Sequence, residues 1–151
     1  MQIQNILVAS RSPWIVKITD FGISKQYDEG TQLDTQVGTR GYMAPEVEGH
    51  FPVAHKLKQH SLATDIWAIG VIAMELLQSH PFPYSSDVLD YVKGRESLKF
   101  DQIPDVTISP TCQEFVRALL SPDPADRPTA SAALAHPWLV EIARSVVPDE
   151  S

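Results

Sequence analysis

Gly38-Thr39-Arg40-Gly41-Tyr42-Met43-Ala44-Pro45-Glu46 lies within a stretch, Phe21 to Pro52, that has neither a helical nor a strand period of apolar residues. Glycine, threonine, aspartate and proline dominate it, so it reads as one loop of roughly thirty residues, where a compact domain typically uses about 4–6. Loops of that length are usually functional or disordered. What flanks this one decides between the two.

On the N-terminal side, Asn5-Ile6-Leu7-Val8 and Trp14-Ile15-Val16-Lys17-Ile18 are β-branched-rich runs separated by the turn-prone Ser10-Arg11-Ser12-Pro13. They predict a small hairpin, with Asp20-Phe21-Gly22 directly after its second strand. On the C-terminal side, Leu62 to Gln78 carries apolar residues on every side of a helix, which marks a helix for burial. Asp65 stands in its first turn, where the helix dipole favours a carboxylate, with Thr64 or Ser61 as candidate caps. Four shorter helices are expected over Ser85 to Lys93, Ser109-Pro110 to Leu120, Thr129 to Ala135 and Trp138 to Val147, with Ser109 and Thr129 as N-caps. Pro104, Pro122, Pro124, Pro128 and Pro137 separate them. No repeat or low-complexity segment interrupts the pattern.

The chain has 151 residues, 43% of them hydrophobic, enough for a core. A net charge of -7 with no lysine or arginine stripe argues against nucleic acid as a partner. Cys112 is the single cysteine, so no intrachain disulfide forms and an intracellular setting, cytoplasmic or nuclear, is expected. No apolar run approaches the ~20 residues that span a bilayer, and Met1 to Ser10 lacks a signal-peptide pattern; no membrane association is expected. His50, His55 and His60 recur every five residues, a spacing that does not stack side chains on a helix, and a zinc site is not inferred.

Asp20-Phe21-Gly22 alone would read as an ordinary turn. In order with Gly38-Thr39, Ala44-Pro45-Glu46 and Asp65-Ile66-Trp67-Ala68-Ile69-Gly70, it resembles the C-lobe of a eukaryotic serine/threonine protein kinase. Gln4-Asn5-Ile6-Leu7-Val8, Asp126-Arg127-Pro128-Thr129 and His136-Pro137-Trp138-Leu139 add to the likeness, which runs from Gln4 to about Val140. Thr39 favours serine/threonine over tyrosine kinases. The fold class implied is mainly α, a kinase-like C-lobe with a minimal N-terminal β-hairpin, a fragment of the α+β kinase fold. The partial kinase domain is expected over 1–147, with 148–151 as a tail.

The resemblance implies site residues. Asn5 and Asp20 would hold Mg²⁺, and with Phe21 and Gly22 they would border ATP. Gly38, Thr39 and Tyr42 would receive the substrate peptide. Thr35 matches the usual activation-loop phosphorylation position, with Thr31 or an unmodified polar loop as open alternatives. Glu46, Asp65, Trp67 and Arg127 would be structural: Arg127 bonding the Glu46 carboxylate, Asp65 holding the catalytic-loop backbone, Trp67 packing near Ala44-Pro45-Glu46.

The family's general base stands five positions before the asparagine, which falls just ahead of Met1. Gln2 occupies a place usually held by lysine, and Ile3 one where proline is common. The glycine-rich loop and the lysine–glutamate pair of the N-lobe are not found in residues 1–151. The chain alone is therefore expected to be inactive, with weak or absent ATP and magnesium binding. Without the helices that normally cover it, apolar surface around Ile66 to Leu77 is expected to be exposed. The parent function is phosphoryl transfer from ATP to a protein serine or threonine, with a protein substrate or regulator as partner. The alternative is a noncatalytic interaction or scaffold module that binds through the Ser85 to Lys93 helix.

Overall fold

A computed structural model describes residues 2–20, 41–50, 62–78, 86–100 and 107–146. A short 3-10 turn, Ile3–Asn5, leads into β1 (Ile6–Arg11), which pairs antiparallel with β2 (Trp14–Ile18). The register sets Ile6 against Ile18 and Val8 against Val16, then slips at a bulge between Val8 and Ser10 so that Arg11 faces Trp14. Directly opposed residues share a face, so Ile6, Val8, Trp14, Val16 and Ile18 line one side of the ribbon.

The helices are α1 (Leu62–Gln78), α2 (Ser86–Val92), α3 (Pro110–Leu119), α4 (Ala130–Leu134) and α5 (Pro137–Val146). The termini of α3 and α4 form for local reasons. The Ser109 hydroxyl accepts a hydrogen bond from the Cys112 amide at 3.2 Å, and Thr129 accepts one from the Ala132 amide at 3.2 Å. Each satisfies an amide that the first helical turn leaves without a partner. Pro110 takes the first position of α3, where its missing N–H costs nothing. Thr64 is the third residue of α1 rather than a preceding cap, and Ser61 lies outside the described residues.

The core forms where α1 crosses α3. Cys112, Phe115, Val116 and Leu119 recur at the i, i+3, i+4, i+7 spacing of a single helix face and are all buried, whereas Glu114 and Arg117 point outward. Phe115, Val116 and Leu119 share one core cluster with Trp67, Val71 and Met74 of α1. Each large apolar side chain so buried contributes about 1.5–3 kcal/mol. Gly70 permits the close approach: a Cβ built there would stand 2.8 Å from both Cγ and Cδ2 of Leu120. Phe115 also carries the C-terminal helices, its ring 5.0 Å from that of His136 and 5.2 Å from that of Trp138.

The all-round apolar character of Leu62 to Gln78 marks this helix for burial, while the expected lack of covering helices leaves part of its apolar surface exposed; the structure shows both, with Trp67, Val71 and Met74 buried and another line of the helix open. Leu62, Ile69 and Leu76, seven residues apart along one line, are 63%, 37% and 66% exposed. Periodicity reports which residues are apolar, not whether a covering layer is present.

Candidate functional site

The clearest constellation joins the loop at Gly41–His50 to the helices. Pro45 and Ala44 are buried, so the segment is seated on the core rather than laid over it. The adjoining Glu46 carboxylate meets Arg127 in a two-point contact, Nη1 to Oε1 and Nη2 to Oε2, both 2.8 Å. Arg127 has three further acceptors: Nε donates to the Ser121 carbonyl at 2.8 Å, Nη1 to the Ala63 carbonyl at 3.0 Å and Nη2 to the Pro122 carbonyl at 3.1 Å. A guanidinium has five N–H donors, and here each has an acceptor. The side chain is fully buried, and its charge is matched by a carboxylate that is only 12% exposed. The guanidinium also lies 5.0 Å over the Trp67 ring, a cation–π contact. One residue thus ties together the loop at 46, the start of α1, the end of α3 and the 3-10 turn Pro124–Asp126.

A second link holds the same loop from its other end. The Tyr42 hydroxyl donates to Glu75 Oε2 on α1 at 2.7 Å. The sequence reading did not single out Glu75. A signal was available, since it is the only charged residue between Ile66 and Gln78.

The hairpin brings Asn5 and the Asp20 backbone to one end. The Thr19 amide donates to the Asn5 carbonyl at 2.8 Å and the Thr19 hydroxyl to the same oxygen at 3.3 Å. The next residue, Asp20, has φ 59°, in the left-handed region that aspartate tolerates better than most residues. It is exposed and has no hydrogen bond or ion pair to another described residue. The side-chain oxygen of Asn5 has a single long contact among the described residues, from Gln2 Nε2 at 3.5 Å. Two oxygen donors at one strand end, one of them an unengaged carboxylate, fit a hard cation such as Mg²⁺. That ion takes one or two carboxylates and completes its shell with water and phosphate.

Asp65 is exposed in the first turn of α1 and makes no side-chain bond to Gln2–Asn5 or to any other described residue. Trp67 is buried beneath Arg127. Phe21, Gly22, Thr31, Thr35, Gly38 and Thr39 lie outside the described residues, as do His55 and His60. His50 pairs with Glu48 at 2.9 Å.

Comparison with known proteins gives this architecture its family. The sequence model of the protein kinase domain matches residues 1–139. The serine/threonine-protein kinase RAD53 of Saccharomyces cerevisiae is 34% identical over 144 residues, covering 89% of this chain and 17% of that protein. Serine/threonine-protein kinase 17A of Oryctolagus cuniculus is 34% identical over 141 residues, covering 91% of this chain and 34% of that protein. Among solved structures, the Rad53 kinase domain and SCD2 superposes with a TM-score of 0.65 at 32% identity, covering 92% of this chain and 46% of that one. The same assembly in complex with AMPPNP gives 0.62 at 29% identity, covering 92% and 48%. The chain belongs to the protein kinase domain family and is a mostly helical fragment of that fold. It spans less than half the length of each of these relatives and structures.

Proposed function

We propose that residues 1–147 form the C-lobe part of a serine/threonine protein kinase whose reaction transfers the γ-phosphoryl group of ATP to a protein hydroxyl, with 148–151 as a tail. The observation that carries this reading is the Arg127 clasp, which seats Gly41–Glu46 against α1 and α3 in a chain matched by the kinase family. The clasp and the Tyr42–Glu75 bond hold both ends of a segment suited to receiving a peptide; Gly38 and Thr39 would extend that surface and Thr35 would be its phosphorylation position. Glu46, Trp67 and Arg127 serve as frame; Asp65, which the resemblance groups with them, makes no side-chain bond to residues 2–5.

Magnesium, when bound, supplies positive charge that neutralises the phosphates as the bond breaks. The chain's part is to hold that ion through Asn5 and Asp20 at the hairpin end, beside Phe21 and Gly22. Residues 1–151 offer no assigned group to take the proton from the substrate hydroxyl, so the chain by itself does not turn over, and they hold no assigned glycine-rich loop or lysine–glutamate pair to grip the nucleotide, so it binds ATP poorly. The partner is a protein substrate or regulator, met inside the cell.

The reading frame ahead of Met1 is the test. Codons for a His-Arg-Asp run, with a glycine-rich loop further upstream, support the kinase; a nearby in-frame stop supports a noncatalytic interaction module instead. Measurable phosphoryl transfer by the 151-residue chain alone, lost in Asp20→Ala, would overturn the assignment of the proton acceptor to residues outside it.

A further inference from the structure

His136 joins α4 to α5 through backbone and side chain alike. Its amide donates to the Ala133 carbonyl at 3.1 Å, its carbonyl accepts from the Val140 amide at 3.1 Å, and its ring nitrogen Nδ1 accepts from the Trp138 amide at 3.3 Å. Pro137, the first residue of α5, has no N–H. The Trp138 amide is therefore the first donor that the helix leaves without an internal partner, and His136 caps it. Because a backbone amide is a donor only, turning the ring over would lose the bond by setting a carbon against it. Phe115 of α3 holds the ring from the side, with centroids 5.0 Å apart and planes tilted by 52°, and holds the Trp138 ring at 5.2 Å. The cap of α5 and its seat on α3 thus meet in one imidazole.

An imidazole accepts at Nδ1 only while its proton is on Nε2 alone. A second proton turns Nδ1 into a donor facing a donor, and sets a positive charge at the helix end where the dipole is also positive. The elements around the ring carry Cys112, Glu114 and Arg117 on α3 and Glu141 and Arg144 on α5, while α4 has no titratable side chain. None of these groups bonds to His136, so no carboxylate among them steadies the charged ring.

We propose that His136 is an acid-sensitive latch: neutral, it seats the first turn of α5 on α3, and protonated, it lets that turn go. The test is amide hydrogen exchange of the 151-residue chain, read by mass spectrometry over Pro137–Val146 at submicromolar concentration and corrected for the intrinsic effect of pH. From about pH 8 to about pH 5, where imidazoles change charge, protection of α5 should fall by about fivefold, the typical cost of a lost N-cap. Protection of α1 should hold. His136→Asn keeps a good capping acceptor that does not titrate, and should hold α5 protected across the range. His136→Phe keeps a ring against Phe115 without the acceptor, and should give the low protection at both ends. The nitrogen-15 shifts of the ring add a reading that needs no variant: at neutral pH, Nδ1 should be the nitrogen without a proton. Protection of α5 that ignores pH in the unmodified chain, an equal fall in His136→Asn, or a neutral ring with its proton on Nδ1 overturns the latch.

Discussion

Arg127 concentrates more of the molecule's polar satisfaction than any other described residue, since its five donors meet a carboxylate and three backbone carbonyls. Truncation to alanine strands the Glu46 carboxylate and frees the carbonyls of Ala63, Ser121 and Pro122 at once. Removing one partner of a buried pair costs about 3–5 kcal/mol, so Arg127→Ala should lower the denaturation midpoint by that equivalent, and a loss under about 1 kcal/mol would show the clasp to be incidental. Lysine offers three donors on a point charge and cannot span the fork; Arg127→Lys should recover only a minority of the loss. At Tyr91, burial is the larger influence and pushes the phenol above its ordinary value, against the lowering effect of Arg117 and Arg127. Its hydroxyl donates to the Leu120 carbonyl at 2.9 Å. The folded state therefore holds this proton more tightly than the unfolded state. Its stabilising effect is complete below the ordinary tyrosine value of about 10 and is lost as pH rises above it. Burial shifts the Cys112 thiol in the same direction. Stability measured against pH should fall at the alkaline end, and Tyr91→Phe should flatten the fall; an unchanged slope would mean that Tyr91 ionises without unfolding anything.

At the scale of elements, the contact between α1 and α3 depends on a glycine. Alanine is the better helix former by about 1 kcal/mol, yet at position 70 its methyl would sit 2.8 Å from the Leu120 side chain and 3.0 Å from Leu119 Cβ. Overpacking of this kind costs about 1–3 kcal/mol. Gly70→Ala should therefore destabilise in urea despite its helical preference, whereas a stabilised variant would mean that the two helices part easily. Elements set by neighbouring residues were legible in the sequence: the span of α1, the Ser109 and Thr129 caps and the two strands follow from local patterns. What tertiary contact decides was not. No periodicity points from Glu46 to Arg127, 81 positions away, and only the family resemblance named them together. Neither that resemblance nor spacing identified Ala63, Ser121 and Pro122 as acceptors, because a backbone carbonyl carries no residue-type signal. Glu75 stood out by its charge, but its partner Tyr42 lies 33 residues away, beyond any helical spacing.

For the molecule as a whole, the distribution of apolar surface is uneven. Besides Leu62 and Leu76 on α1, the hairpin leaves Val8, Trp14, Val16 and Ile18 at least half exposed along one face. A two-stranded ribbon is marginal by itself, and contiguous apolar surface of this kind promotes association. The purified chain should bind a hydrophobic dye and self-associate at micromolar concentration. Leu76→Glu should weaken association while shifting stability by no more than about 0.5 kcal/mol, as expected of an exposed position. A monodisperse chain that ignores the dye would show that these surfaces are already covered.

The account stands most directly on phosphoryl transfer by the chain joined to the in-frame sequence that precedes Met1, with radiolabelled ATP, magnesium and a mixture of serine and threonine peptides. The extended chain should label the peptides, and Asp20→Ala should abolish the label while leaving the melting temperature intact. Labelling that persists in Asp20→Ala, or no labelling by a folded extended chain, would contradict it.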